Sequence, residues 1–193
     1  MSDAMFRRTA GWCAYGIAVL SLLYAGVYLG LVRPDPTNAT ASALANGFIG
    51  LSGILATLPV IAIGDRVDGA VGRWLRVVGV GWALLSAAHG VFSAVSAAQG
   101  LPTGDLSATD PRGFATFGLA GLWSITLGFA IRSGTSFPRP LGTIALVNGV
   151  DLVVLFFATA TGAGTLVLVA GGLASVILGP VQWAWLGRAV MKT

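Results

Sequence analysis

The stretch LGTIALVNGVDLVVLFFATAT, from Leu141 to Thr161, decides the fold class of this chain. It is long enough to cross a bilayer, which takes about 20 predominantly apolar residues. Asp151 lies at its middle, and Asn148 lies about one helical turn earlier. A carboxylate at that depth costs about 2.5 to 3.5 kcal/mol even on the mildest insertion scale. The stretch therefore predicts a transmembrane helix and also a candidate site, because the fold must offset that cost.

The rest of the chain has the same apolar character. Of its 193 residues, 55% are hydrophobic and only 9% are charged, whereas soluble domains carry about 25% charged residues. Further apolar runs predict an all-α, polytopic membrane protein, a single domain built as a bundle of six transmembrane helices. The predicted spans are about 12–32, 43–64, 75–98, 113–131, 141–161 and 164–187.

The basic residues predict the orientation of the bundle. Of the eleven Lys and Arg residues, only Arg33 and Arg112 fall on one side of the predicted spans, which leaves nine on the other. Because cytoplasmic loops carry the excess of Lys and Arg, both termini are expected in the cytoplasm, with the protein in the inner (plasma) membrane. The two longer loops, which contain Asp35, Asp105 and Asp110, are expected to face outward.

The composition also limits the cofactors and partners. One His and one Cys do not supply a His/Cys-rich metal or haem site. The only lysine, Lys192, lies at the end of the chain, which excludes an internal Schiff base. No cofactor is predicted, although a bound lipid or hydrophobic pigment is compatible with the composition. The expected partners are the lipid bilayer and either a membrane protein or a second copy of the chain, and nucleic acid is not expected.

Polar residues on three spans each share one helix face. They are Ser21, Tyr24 and Tyr28 on the first span, Trp82, Ser86, His89, Ser93 and Ser96 on the third, and Asn148, Asp151 and Thr159 on the fifth. At about 1.5 Å per residue, Asp151 lies roughly 15 Å above the inner end of its helix, and His89 lies roughly 20 Å up. These similar depths predict a mid-membrane pocket in which Asp151 pairs with His89, Tyr24 or Ser93.

Two interpretations of this cluster stay open at the sequence level. In the first, Asp151 only bonds to a neighbouring polar group and sets the helix register. In the second, the cluster binds, senses or transports a small molecule, an ion or a proton, since intramembrane carboxylates mark such paths. The candidate binding or proton-relay residues are Asp151, Asn148, His89, Ser86, Ser93 and Tyr24.

Small residues at four-residue spacing predict close helix packing, because they let two helix backbones approach in lipid. The candidate packing positions are Gly26, Gly30, Gly50, Gly53, Gly171, Ser175 and Gly179. The same surfaces support an alternative function, that of a non-catalytic accessory subunit packed against a larger membrane complex. Four tryptophans near the inner ends, Trp12, Trp74, Trp183 and Trp185, predict an aromatic belt.

The sequence Gly50-Leu51-Ser52-Gly53 resembles the G-x-S-G motif of the rhomboid intramembrane proteases, which also have six spans. This resemblance implies an intramembrane serine hydrolase in which Ser52 is the nucleophile and His89 its base. Rhomboids place the serine on the fourth span and the histidine on the sixth, whereas here they fall on the second and third. No catalytic residue is assigned, and an enzymatic function is left open with a non-enzyme favoured.

The second half of the chain resembles a widespread class of bacterial six-span membrane proteins of unknown function. The motifs that carry the resemblance are Leu122-Trp123, Gly128, Arg132-Ser133-Gly134, Pro138-Arg139-Pro140-Leu141-Gly142 and Trp185-Leu186-Gly187-Arg188. They mark a span that ends in an arginine-capped turn and a following helix that starts with glycine. The resemblance implies a six-span fold and no particular activity.

Overall fold

The structure is a computed structural model that describes residues 2–101 and 110–192, apart from the side chain of Pro111. Its regular structure within these ranges is entirely helical, and six helices are long and apolar enough to cross a membrane. They are α1 (Asp3–Val32), α2 (Ala39–Gly64), α3 (Gly69–Ala98), α4 (Pro111–Gly134), α5 (Arg139–Ala160) and α6 (Gly164–Met191). The all-helical fold with six candidate spans is confirmed. Asp105 of the expected outer loop lies outside the described residues.

Three of the helices extend well beyond the predicted spans, mostly at the basic end of the bundle. α1 begins at Asp3, where the Ser2 hydroxyl accepts a hydrogen bond from the backbone N–H of Met5 at 3.3 Å. α3 begins at Gly69 and α6 runs on to Met191. The difference arises because hydropathy marks where a helix meets lipid, whereas capping and hydrogen bonding determine where the helix begins and ends.

The helices pack in chain order around a ring, and α6 closes it against α1. α4 packs between α3 and α5. Glycine allows the closest approaches: a Cβ at Gly53 would lie 2.6 Å from the carbonyl oxygen of Ala83 on α3. At the junction of α1 and α6, a Cβ at Gly187 would lie 2.8 Å from the carbonyl oxygen of Gly11. Such contacts exclude any side chain at these positions.

The predicted packing positions divide into three groups. Gly50 and Gly53 are buried against the backbone of α3, as expected. Gly26 and Gly30 are exposed, and no described residue lies within 4 Å of a Cβ placed there, so this part of the prediction is wrong. The close contact of α1 lies instead near its N-terminal end, where Gly11 packs against α6.

The three predicted packing positions on α6 are Gly171, Ser175 and Gly179, and they form the third group. Gly171 and Ser175 are half-buried, and a Cβ at Gly171 would meet only Leu155, at an ordinary contact distance of 3.8 Å. A Cβ at Gly179 would approach Ala174 of its own helix, because a π-helical turn covers Ala174–Leu178. These three positions therefore line an internal space instead of forming a tight helix–helix contact.

The contact at Gly53 leads to a stability prediction. We expect Gly53→Ala to lower the free energy of unfolding by about 1 to 3 kcal/mol, because the added methyl group forces α2 away from α3. Gly47→Ala on the same helix is the matched control, since no described atom lies within 4 Å of its Cβ position. Thermal unfolding of the two detergent-solubilised variants measures the difference, and equal melting temperatures would contradict the α2–α3 contact.

At the basic end, Arg66 connects three segments. Its guanidinium donates to the carbonyl oxygens of Ala189 and Val190 at 2.9 and 2.7 Å, and its Cζ lies 5.4 Å from the centre of the Phe137 ring. These contacts satisfy carbonyl groups near the C-terminal end of α6 that have no partner within the helix. The α2–α3 turn, the α4–α5 turn and the end of α6 are therefore joined at this end of the bundle.

Candidate functional site

A partly open cavity of about 730 Å³ lies between the helices, and all six contribute to its wall. Most of the surface of the wall is apolar, and polar side chains from all six helices are interspersed along it. It extends from three tryptophans nearer the basic end of the bundle, which we call its inner end, to Arg33, Gly113 and Gly162 at the opposite helix ends, which we call its outer end. Cavities of this size and character are typical of small-molecule sites in proteins.

The inner end of the cavity is a cluster of three indole rings, the tryptophan cluster, formed by Trp82, Trp123 and Trp183. Their ring centroids lie 5.8 to 6.2 Å apart. The indole N–H of Trp123 donates to the carbonyl oxygen of Leu75 at 2.9 Å, which fixes that ring. Trp183 is buried in the core, so its assignment to an aromatic belt is wrong, whereas Trp12 and Trp74 are exposed.

Next to the tryptophan cluster, buried amides join three helices. The Asn148 amide on α5 donates to Gln182 Oε1 on α6 at 2.8 Å, and the Gln182 amide donates to Ser124 Oγ on α4 at 3.2 Å. All three side chains are at least 96% buried and line the cavity. Gln182 and Ser124 were missed at the sequence level. The signal was present, since a glutamine within a predicted span needs a partner as much as Asn148 does.

The polar pairing nearer the outer end involves His89 and Asp110. His89 Nδ1 lies 2.9 Å from Asp110 Oδ2, and the Arg112 guanidinium donates to both oxygens of the same carboxylate at 2.9 and 3.1 Å. Asp110 also caps α4, because its Oδ1 accepts from the backbone N–H of Arg112. Burial disfavours the charged carboxylate, but the hydrogen bonds from Arg112 and His89 outweigh it and lower the pKa of Asp110 to about 2.

The expected pair of Asp151 and His89 does not form. The carboxylate bound to His89 is Asp110, and Asp151 is half-buried and is not part of the cavity wall. Its Oδ2 is buried without a hydrogen-bond partner among the described residues. Similar depth did not bring Asp151 to His89, because α4 packs between α3 and α5 and Asp110 at the start of α4 supplies the carboxylate.

The other candidate residues fall into two groups. His89, Asn148, Ser86 and Tyr24 line the cavity, so the structure does bring these four together around one space. Ser93 is fully buried and lies outside the cavity wall. The expected polar face of α3 is confirmed, since every member from Trp82 to Ser96 is buried.

Among the neighbouring helices that form the cavity wall, α1 and α6 make few contacts with each other along their outer halves. These helices pack closely at Gly11 and Gly187, and the Ser21 hydroxyl donates to the Ser175 carbonyl oxygen at 3.0 Å. Beyond that level, the outer half of α6 packs mainly against α5. Each of the two helices contains a π-helical turn, Tyr28–Val32 and Ala174–Leu178. Such turns occur frequently at functional sites.

The fold and the cavity define a class, an all-helical bundle with six helices of membrane-spanning length and an internal apolar site. Comparison of the chain with protein-family models, curated proteins and solved structures finds no match. The resemblance to six-span bacterial proteins of unknown function stays a prediction. The function is therefore argued from the geometry of the cavity itself.

Proposed function

We propose that this chain is a membrane protein that binds an apolar small molecule, for sensing or transport, in the cavity between its six helices. The observation that supports this most is the cavity itself, about 730 Å³ in volume and mostly apolar. Protein ligand sites have volumes of about 300 to 1,000 Å³, with a few polar groups that orient the ligand. Here those groups include His89, Ser86, Tyr24 and Asn148. Asp151 is not part of the proposed site.

The ligand reaches the cavity from the bilayer, between the outer halves of α1 and α6. This route is supported by the sparse contact between these two segments. Both contribute to the cavity wall, through residues such as Tyr24 and Tyr28 on α1 and Leu168 and Gly172 on α6. An apolar molecule that dissolves in the membrane would follow this route without crossing a polar surface.

The protein resides in the cell membrane with both termini in the cytoplasm. The proposal rests on the nine basic residues at one end of the helices and the two at the other. A reporter fused after Thr193 and one inserted near Asp68 are expected to read cytoplasmic, and one near Gly104 is expected to read external. A cytoplasmic signal from the Gly104 insertion would contradict this topology.

Quenching of tryptophan fluorescence tests the proposed binding. Trp12, Trp74 and Trp185 are replaced by phenylalanine, so that the tryptophan cluster at the inner end of the cavity supplies the emission. A brominated apolar probe, para-bromophenol, quenches only at short range. Saturable quenching is expected if the probe occupies the cavity. Quenching that rises linearly with probe concentration, as for simple partitioning into the detergent, would overturn the proposal.

A second candidate function, a serine hydrolase, is favoured by one specific observation. Ser52 and His89 both line the cavity, and Asp110 holds the Nδ1 of His89 as the carboxylate of a catalytic triad would. No hydrogen bond joins Ser52 to His89 among the described contacts, although such bonds are often long without substrate. A fluorophosphonate reagent distinguishes the candidates. Labelling that is lost in Ser52→Ala supports a hydrolase, and no labelling supports binding alone.

A further inference from the structure

A second concave surface lies at the basic end of the bundle, beside the turn that joins α4 to α5. We call it the arginine groove, and its lining residues are Arg132, Arg139, Pro140, Thr143 and Ile144. None of these five residues belongs to the wall of the large cavity. The arginine groove is therefore a separate surface, which the proposed function does not use.

The two arginines reach the groove from the ends of two neighbouring helices. Arg132 lies in the last turn of α4, and Arg139 is the first residue of α5. The helices pack closely here, so that the Cγ of Arg132 lies 3.1 Å from the position that a Cβ would take at Gly142 of α5. Arg139 precedes Gly142 by three residues, which is the spacing of neighbours on a helix surface. The stem of Arg132 is thus about one turn from Arg139.

Neither arginine of the groove forms an ion pair within the part of the chain that the structure describes. Two other arginines at the basic end do have protein partners: Arg66 donates to two carbonyl oxygens, and Arg76 pairs with Asp65. Like charges that line one groove repel each other, and the repulsion grows where the surroundings exclude water. An anion bound in the arginine groove would offset that repulsion.

The residue types of the groove suit a phosphate. A guanidinium can donate two parallel hydrogen bonds to phosphate oxygens, which gives arginine its preference for this group. Thr143 is exposed and lines the groove, and its hydroxyl is also able to donate. Basic pockets between membrane helices are a known type of site for the headgroups of anionic lipids.

The surface next to the groove favours a lipid over a soluble phosphate. Val147 and Val150 follow Thr143 by four and seven residues, so the three lie on one face of α5, and all are exposed. On α4, Phe129 lies about one turn before Arg132 and is also exposed. Acyl chains would cover this apolar surface next to the arginines, whereas a soluble phosphate would leave it uncovered.

We infer that the arginine groove binds the phosphate headgroup of an anionic phospholipid, with its acyl chains along the exposed faces of α4 and α5. Arg132 and Arg139 supply the positive charge that complements the headgroup. A second copy of the chain is a poorer occupant, because a symmetric contact would bring the same arginines of both copies together. This lipid site goes beyond the proposed function, and neither depends on the other.

Native mass spectrometry of the detergent-solubilised protein, titrated with phosphatidylglycerol, tests the site. The apparent affinity for the first bound lipid is expected to fall about tenfold or more in Arg132→Gln/Arg139→Gln, since each basic residue near an anionic lipid surface strengthens binding severalfold. The matched control is Arg8→Gln/Arg73→Gln, which removes two exposed arginines from the same end but outside the groove. The control should change the affinity by less than about twofold.

A further variant, Thr143→Phe, tests the groove without a change in net charge. The phenyl ring would occupy the space of the headgroup, so the affinity for the first lipid should fall about fivefold or more. Melting temperatures close to that of the unaltered protein show that each variant is folded. Unchanged affinity in Thr143→Phe would place the lipid elsewhere and overturn the inference.

The remaining outcomes distinguish the other occupants. Equal weakening by the two double variants would indicate general charge attraction, and equal affinity for phosphatidylcholine, which has no net charge, would show that the groove does not select an anion. Either result overturns the inference. Displacement of the lipid by an equal concentration of glycerol phosphate would assign the groove to a soluble phosphate. A dimer that forms without lipid and is lost in Arg132→Gln/Arg139→Gln would assign it to a second copy.

Discussion

Replacing Ala120 with phenylalanine is expected to weaken binding of para-bromophenol by about tenfold or more. Ala120 lies on α4 and lines the cavity one turn before Trp123 and Ser124. A phenyl ring at this position would extend into the cavity that the proposed ligand occupies. Because protein interiors do not yield easily to added volume, the ring and the ligand would compete for the same space.

Leu122→Phe is the matched control for this substitution. It adds the same side chain on the same helix, but Leu122 is 50% exposed and is not part of the cavity wall. The control is expected to change the apparent affinity by less than about twofold, since surface changes away from a site have small effects. Fluorescence titration measures both variants. Equal affinities of Ala120→Phe, Leu122→Phe and the unaltered protein would place the ligand outside the cavity.

Replacing Asp110 with asparagine is expected to destabilise the protein by about 1 to 3 kcal/mol, because it weakens the hydrogen bonds of a buried carboxylate and the cap of α4. The Asp110 side chain is 9% exposed, and it accepts hydrogen bonds from Arg112 and pairs with His89. Its loss leaves His89 buried without its carboxylate and removes the cap of α4. Both effects act on the α3–α4 junction.

The matched control is Asp65→Asn, which breaks a second aspartate–arginine pair of the described residues. Asp65 contacts Arg76 at 2.5 Å, but its side chain is 48% exposed, so the effect should stay within about 1 kcal/mol. Chemical unfolding in detergent compares the two variants. If both lose the same small amount of stability, the buried pair does not hold α3 and α4 together.

The same carboxylate predicts how stability depends on pH. The pKa of Asp110 is lowered to about 2 in the folded protein, from a value of about 3.9 for an unperturbed aspartate. A lowered pKa means that the stabilisation is fully present above about pH 4 and is lost as the pH falls through about 2. Melting temperatures measured across this window should therefore fall more steeply for the unaltered protein than for Asp110→Asn.

The sequence by itself determined the fold class, the number of spans and the polar face of α3. Hydropathy over about 20 residues identifies a helix that can cross a bilayer, because backbone groups in lipid must bond within their own segment. Periodicity then assigns residues to a face, which is why every member from Trp82 to Ser96 proved to be buried. Both signals are local, since they depend only on the distance along one helix.

Only the tertiary structure decided which faces meet. The similar predicted depths of Asp151 and His89 in the membrane suggested a pair. In the structure, His89 pairs with Asp110 instead, because α4 packs next to α3. Trp183 looked like a membrane-surface residue by its position and lies in the buried tryptophan cluster. The Gly26 and Gly30 pair has the spacing of a packing motif but faces outward. Which face of a helix is directed toward the core depends on the neighbouring helices, so no pattern within a single helix specifies it.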